Sequence, residues 1–371
     1  MTDWTRTPFT QTFDLRYPIV QGPFGGGISR IALTAAVSEA GGLGSFGAHH
    51  LSPQDLDATI GQLQSATDQP FAVNLWVPLP DQPRHLDRTT HDTYSGALRP
   101  WFQRVGLEPP AYLHASSPDF EAQVEAVLER RPAVFSFVFG IPRPEILSEC
   151  RHRGILTVGA ATHLDEGRAL QDAGVDAVVA SGYEAGGHRP AFLRPAADSV
   201  ATGPLTVQLS AALDIPVIAA GGIATGRGIA SALMLGADAV QIGTAFLATD
   251  QSGAPDAHKH ALRSPRARHT ALTTAFSGRL ARGIRNDFLD AFESVDVPTY
   301  PQQNWLTAPI RAAAASEGEI ELLALWSGQG APLLTDHRDA TNLFEHLVAD
   351  TDHSLRAAPT PTTHHVTGDN S

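Results

Sequence analysis

Short apolar runs recur along the first 245 residues of the chain, each followed by a glycine-rich or polar loop and then by a helical pattern. Within each run hydrophobicity is continuous and does not alternate with polar positions. This is typical of a parallel sheet that is covered on its outer face. Eight such runs occur, at residues 18–21, 43–46, 71–75, 134–139, 155–158, 177–180, 217–220 and 239–242.

Helical patterns separate these runs and complete a repeating strand–helix unit. They cover residues 29–40, a segment that Ser52 and Pro53 open, and residues 119–130, 143–151, 164–173 and 227–235. Eight strands with interleaved helices predict an α/β protein with a (β/α)8 TIM barrel. An open Rossmann-like sheet is the alternative fold, and the count of eight disfavours it.

Two stretches do not fit the repeat. The segment 76–115 after the third run is proline-rich and longer than one crossover needs, and a long extension follows residue 250. We expect the two to form a smaller lid over the barrel mouth. The predicted division is a barrel at 1–75 and 116–250, a lid at 76–115 and 251–350, and a disordered tail rich in Pro, Thr and His at 351–371.

Charge and cysteine content narrow the class of partner. The net charge of -13 disfavours nucleic acid and anionic membranes. Cys150 is the only cysteine, which excludes an intrachain disulfide and a multi-cysteine metal site, and we expect no metal. The amino terminus lacks the apolar core of a signal peptide, and no apolar run approaches the ~20 residues of a membrane helix. These features predict a cytoplasmic protein. We expect it to act on a small molecule, and a homodimer is one possible assembly.

Loops after the last two runs are rich in glycine. Glycine allows close backbone approach, and in this fold the loops after strands seven and eight usually hold a phosphate. They therefore predict a site for a phosphosugar or for flavin mononucleotide (FMN), between which the loops alone do not decide. The candidate contacts are Gly221, Gly222, Gln241, Ile242, Gly243 and Thr244.

The loop after the sixth run reads SGYEAGGHRP over residues 181–190. It places His188 at the barrel mouth, where an imidazole with a pKa near its usual 6.5 could exchange a proton with a substrate. With a pKa near 6.5, the imidazole loses its proton as pH rises, so activity that needs the neutral base should rise with pH. Arg189 is expected either to meet an anion or to pair with Glu184.

Two further loops suggest contacts to a planar ring. After the first run, the backbone of Gly22, Pro23 and Phe24 could lie flat against a heterocycle. Asn74 near the end of the third run carries an amide that could satisfy donor and acceptor edges of such a ring, or could instead bridge neighbouring strands.

Taken together, these segments resemble the nitronate monooxygenase family, formerly called 2-nitropropane dioxygenases. The resemblance covers most of residues 15–331, and its matching segments are residues 18–27, 36–47, 184–189, 220–223, 241–246, 300–304 and 326–330. It implies a barrel with a lid, FMN as the cofactor and no metal. It implies His188 as the catalytic base, and FMN contacts at Asn74, Gly186, Gly222 and Gln241 through Thr244. Ser181 and Gly187 are further expected cofactor contacts.

Three positions depart from the family pattern. Ser181 stands where many members have a flavin-contacting glutamine, Phe24 where many have methionine, and Pro190 where many have glycine. The first departure bears on one flavin contact and the other two on the substrate pocket. On the substrate side, the expected residues are Arg189, Tyr300 and Gln303.

The implied reaction is the oxidation of alkyl nitronates, and of nitroalkanes in a wider reading, by FMN and O2 to a carbonyl compound and nitrite. One alternative is an FMN-dependent NAD(P)H reductase of enoyl thioesters or quinones. Others are a flavin-free phosphosugar isomerase or lyase and a non-enzymatic flavin-binding module.

Overall fold

The computed structural model describes residues 3–80, 82–112 and 115–357. Eight parallel strands form its central sheet, in the order β1-β9-β8-β6-β5-β4-β3-β2. A parallel bridge between Val20 and Leu43 joins the two ends of this order, so the sheet is a nearly closed barrel and the (β/α)8 prediction is confirmed. The barrel strands are β1 Ile19–Gln21, β2 Gly44–Gly47, β3 Phe71–Trp76, β4 Val134–Val138, β5 Leu156–Ala161, β6 Ala177–Ser181, β8 Val217–Ala220 and β9 Ala239–Ile242.

Three short strands form a second, antiparallel sheet outside the barrel, in the order β10-β11-β7. They are β7 Gly187–His188, β10 Thr270–Thr273 and β11 Ala281–Ile284. Since β7 belongs to the loop after β6, this sheet ties that loop to the carboxyl-terminal extension.

Helices surround the barrel and cover its mouth. Helix α3 begins at Pro53 as predicted. Ser52 caps it, since the Ser52 hydroxyl accepts a hydrogen bond from the Asp55 amide. The helices are α1 Pro8–Phe13, α2 Ile31–Glu39, α3 Pro53–Ala66, α4 Arg88–Arg104, α5 Phe120–Arg130, α6 Pro144–His152, α7 Leu164–Asp172, α8 Thr202–Ala212, α9 Gly226–Met234, α10 Thr244–Leu247, α11 Asp256–Leu262, α12 Asp287–Ala291, α13 Gln302–Glu317 and α14 Ala340–Arg356.

Helix α1 closes the amino-terminal end of the barrel. Phe9 and Phe13 share one buried cluster with the first residues of three barrel strands, Val134, Ala177 and Ala239. The cluster fills the barrel interior from that end, so a cavity can exist only at the opposite end, where the strands finish.

The insertion after β3 packs against the carboxyl-terminal extension. Leu98 and Phe102 of α4 lie in one buried cluster with Leu306 and Ile310 of α13. We call the described residues 77–80, 82–112, 115 and 251–339 the lid region.

Helix α14 corrects two of the predicted boundaries. Leu343, Phe344 and Leu347 pack with Val37 of α2 and Ile229 of α9, so residues 340–350 complete the outer ring of the barrel and do not belong to the lid. The helix continues to Arg356, so residues 351–356 are not part of a disordered tail. The helical spacing of these apolar side chains outweighs the polar composition that suggested a tail. The rest of the predicted tail, residues 358–371, lies outside the described residues.

Among the described residues, no helix combines the length and the apolar character that crossing a bilayer requires.

Candidate functional site

A cavity of about 640 Å³ lies between the carboxyl ends of the barrel strands and helix α13. The structure brings most of the predicted cofactor contacts to its wall. These are Gly22, Pro23, Phe24, Asn74, Ser181, Gly186, Gly187, Gly221, Gly222, Gln241, Gly243 and Thr244. His188 and Tyr300 line the same cavity.

A cradle of backbone amides forms one end of this cavity. Gly221 and Gly222 have φ angles of 126° and 71°, which favour glycine. In the described part of the chain, the amides of Gly222 and Gly243 donate no hydrogen bond to another residue. Unpaired donors that face a cavity suit a phosphate.

The turn at residues 328–330 completes the cradle. The Gly328 amide donates to the Thr244 hydroxyl at 2.9 Å, and the Gln329 amide donates to the Glu184 carbonyl at 2.9 Å. A Cβ atom on Gly330 would lie 2.6 Å from the Gly222 carbonyl oxygen, so the turn approaches the loop after β8 as closely as backbone can. The segment 326–330 was among those that carried the family resemblance.

Arg189 does not face the cavity, and its predicted place on the substrate side is wrong. Side chains alternate along a strand, so β7 directs His188 to the cavity and Arg189 to the opposite face. Arg189 is 1% exposed and donates to the carbonyls of Gly182 and Ala185, each at 2.6 Å. Nor does it form an ion pair with Glu184, whose carboxylate accepts hydrogen bonds from the amide and the hydroxyl of Thr202.

Arg282 reinforces the same loop. It pairs with Gly187 in the β11–β7 register and therefore lies on the same face as Arg189. Its Nε donates to the Tyr183 carbonyl at 3.1 Å. Two buried guanidinium groups thus fix the loop that carries His188.

Gln303 and Ile242 also point away from the cavity. Gln303 is 1% exposed and its side-chain amide donates to the Ala275 carbonyl at 2.6 Å. The cavity face of α13 presents Asn304 and Arg311 instead, which lie about two turns apart on another side of the helix. The Ile242 side chain is fully buried in the cluster between β9 and the outer helices, because its neighbours Gln241 and Gly243 take the cavity positions.

His188 lies among aromatic rings and bonds a single side chain. Its Nε2 is 2.8 Å from the Ser277 hydroxyl, and the centroids of Trp76 and Trp326 are 5.1 and 5.4 Å from its ring. The Ser277 hydroxyl is also 3.1 Å from the Arg279 carbonyl; when it donates there, Nε2 of His188 donates to Ser277 and Nδ1 keeps its lone pair.

Burial, followed by the nearby positive charges of Arg279, Arg311 and Arg189, lowers the pKa of His188 to about 3. The sequence-based expectation of a pKa near 6.5 is therefore wrong. Desolvation and like charge both disfavour the imidazolium. At neutral pH the ring is an unprotonated base.

Several wall residues were missed by the sequence analysis. His49 stacks on Trp76 with centroids 3.6 Å apart, and burial lowers the pKa of His49 well below its usual value. Trp76 is the last residue of β3 and His49 lies two residues beyond the end of β2, so the rule that active sites form at strand ends could have found both. Trp326, Asn304 and Arg311 come from the lid region, where no such rule applies.

Two arginines make this part of the cavity electropositive. Burial lowers the pKa values of Arg279 and Arg311 to about 10, so both remain charged at neutral pH. The Arg279 guanidinium lies over the rings of Phe139 and Tyr300, at 3.9 and 4.4 Å from their centroids. Arg311 lines the cavity itself. A neutral base beside uncompensated positive charge suits a ligand that is anionic or becomes so.

Known proteins resemble this chain over nearly its whole length. The nitronate monooxygenase family profile matches residues 6–350. A probable nitronate monooxygenase of Staphylococcus aureus (strain Newman) is 38% identical over 338 residues, which cover 90% of this chain and 94% of the relative. A probable nitronate monooxygenase of Staphylococcus saprophyticus is 38% identical over 352 residues, 92% of this chain and 96% of the relative.

Solved structures show the same relationship. Nitroalkane oxidase from Streptomyces ansochromogenes has a TM-score of 0.86 and 39% identity, covering 93% of this chain and 99% of that one. FabK from Thermotoga maritima has a TM-score of 0.75 and 28% identity, covering 94% and 97%. Family profile, relatives and fold agree: this chain is an oxidoreductase that belongs to the nitronate monooxygenase family.

Proposed function

We propose that this protein uses FMN and O2 to oxidise alkyl nitronates to a carbonyl compound and nitrite. The observation that carries the proposal is the pairing, in one cavity, of an unprotonated His188 with the unpaired positive charge of Arg311. A nitronate is an anion, and a nitroalkane becomes one when its α-carbon loses a proton. The cavity could therefore bind a nitronate and could also promote the deprotonation of a nitroalkane.

The cavity residues fit FMN. The amide donors of Gly222 and Gly243 suit one terminal phosphate, which FMN has. Ser181 and Gln241 line the cavity at strand ends, and their side chains bond no described residue, so both could contact the flavin ring. When bound, FMN supplies the acceptor for the substrate's electrons and the reaction with O2.

The chain's own residues would bind the substrate and handle its proton. For a nitroalkane, the unprotonated nitrogen of His188 would take the proton from the carbon that bears the nitro group, and the anion that forms beside the ring would raise the pKa of the imidazole toward the range that a base needs. For a pre-formed nitronate no proton need be removed, and the cations would hold the anion. The rings of Trp76, Tyr300 and Trp326 around His188 would exclude water.

A second candidate is the FMN-dependent NAD(P)H reductase of enoyl thioesters or quinones. The structural similarity to FabK, whose name refers to no nitro compound, is the reason to test it. The two candidates differ in the reductant that each requires.

Anaerobic mixing separates these functions. The purified yellow protein is mixed with ethylnitronate in one experiment and with NAD(P)H in another, and flavin absorbance is followed. We expect ethylnitronate to bleach the flavin, NAD(P)H to leave it oxidised, and nitrite to accumulate when air is admitted. Bleaching by NAD(P)H alone would support the reductase instead. A protein that stays colourless after reconstitution with FMN would contradict both.

A further inference from the structure

Arg311 is held in one orientation by its own helix. Side chains on a helix lean toward its amino terminus, and Arg311 runs back along α13 in this way. Its Nε donates to the Thr307 hydroxyl at 3.2 Å, and Nη2 donates to the carbonyl and the side-chain oxygen of Asn304 at 2.8 and 2.9 Å. Over the part of the chain that the structure describes, Nη1 has no hydrogen-bond partner.

The charge of Arg311 is not neutralised by the protein. No carboxylate forms an ion pair with it among the described residues, and it is the one Arg, Lys, Asp or Glu of those residues that lines the cavity. A charge removed from bulk water without a partner is costly. Such a group is a candidate for a functional site when it also faces a cleft.

Neighbouring arginines have other partners. Arg189 and Arg282 bind the carbonyls of the loop after β6. Arg279 covers aromatic faces and donates to the Gln82 side chain at 3.2 Å, and it does not line the cavity. Of these four buried or half-buried cations, Arg311 alone lines the cavity.

His188 and Arg311 face the same volume. Both side chains line the cavity, and the charge of Arg311 is among the nearby charges that disfavour protonation of His188. Tyr300 lies beside both, since its ring centroid is 6.5 Å from that of His188 and the Arg311 charge acts on its hydroxyl. A small planar group between them would meet a base on one side and a guanidinium on the other.

We propose that Arg311 is the substrate-anion residue: its free Nη1 donates to the nitronate group and orients the α-carbon toward His188. The inference deepens the proposed function and rests on it. Because Nε and Nη2 are held within the helix, the Nη1 donors keep a fixed position, which the flexible ammonium of a lysine would not. The same contact would stabilise the anion as a neutral nitroalkane loses its proton.

The test needs no turnover. Nitrate, a stable planar oxyanion, is titrated into the oxidised holoenzyme while flavin absorbance is followed, in wild type, Arg311→Met, Arg311→Lys and Arg279→Met. Losing hydrogen bonds from a charged group should weaken nitrate binding by about 10- to 100-fold in Arg311→Met. Arg311→Lys should weaken it less, because the charge remains and only the fixed Nη1 donors are lost. Arg279→Met, which removes a nearby charge outside the cavity wall, should have a smaller effect than Arg311→Met.

Kinetics provide the second readout. In Arg311→Met, KM for ethylnitronate should rise more than kcat falls, because the contact exists before the chemical step. Wild-type nitrate affinity and wild-type KM in Arg311→Met would overturn the inference while leaving nitronate oxidation intact. Conversely, nitrate binding that depends on Arg311 in a protein that does not oxidise nitronates would reject the proposed function alone. If Arg311→Met loses its flavin, Arg311→Lys decides, and unchanged nitrate affinity there would overturn the inference.

Discussion

The two walls of the cavity are built differently. The barrel wall consists mainly of glycine backbone and small neutral polar side chains at strand ends, with unpaired amides at Gly222 and Gly243, and it also includes the stacked rings of His49 and Trp76. The lid wall supplies Tyr300, Arg311 and Trp326, which are large, aromatic or charged. The barrel wall therefore suits a cofactor held through its phosphate and ring edges. The lid wall suits the selection and orientation of a small anion.

The largest expected effect is the loss of the cofactor from the barrel wall. Gly222→Asp would place a carboxylate at the amide cradle, where it would repel a phosphate dianion, and would strain a backbone with φ of 71°. We expect the purified variant to contain no flavin. Gly106→Asp is the matched control, because Gly106 has φ of 66° and a Cβ there would meet nothing within 4 Å. Flavin should be normal in the control, and normal flavin in Gly222→Asp would place the phosphate elsewhere.

The next effect concerns the base between the two walls. His188→Asn should slow turnover of neutral nitroalkanes by about 10²–10⁴-fold, the usual contribution of a positioned base. Oxidation of pre-formed nitronate should fall much less, since no proton is removed. Steady-state rates on both substrate forms, with flavin content as the folding control, decide the matter. Equal large losses would assign His188 to anion binding, and unchanged rates would leave it structural.

The pH dependence follows from the same residue. Because the pKa of His188 is lowered to about 3, its base form should be fully present between pH 6 and 8, and nitroalkane oxidation should show no inflection near 6.5. The unfolded chain binds a proton at this histidine below about pH 6.5, so its burial makes the free energy of unfolding decrease as pH falls below that value. A kcat/KM profile with an inflection near 6.5 that disappears in His188→Asn would show that the histidine titrates normally.

A smaller effect, on the free energy of unfolding, distinguishes an arginine that supports the fold from one that binds substrate. Arg189→Met removes two hydrogen bonds to loop carbonyls and should lower the free energy of unfolding by about 3 kcal/mol. Arg285→Met, which breaks exposed ion pairs with Asp290 and Glu293, should lower it by less than about 1 kcal/mol. Denaturant unfolding of both variants provides the measurement. Full stability of Arg189→Met, with a raised KM for nitronate, would restore Arg189 to the substrate side.

The barrel wall could be predicted from the sequence because each apolar run shows where a barrel strand ends. The bounds of β8 and β9 match their apolar runs residue for residue, and the glycines of the phosphate cradle follow directly. The face of β7 could not be predicted, since a strand of two residues carries no alternation, and the position of Arg189 was therefore wrong. Arg311 was missed because sequence does not show which face of α13 meets the cavity.

A crystal structure of the FMN-loaded protein soaked with nitrate would test the division between the walls most directly. We expect the FMN phosphate on the amides of Gly222 and Gly243, and nitrate between His188 and Arg311. A phosphate bound elsewhere, or nitrate at the barrel wall with Arg311 uninvolved, would contradict it.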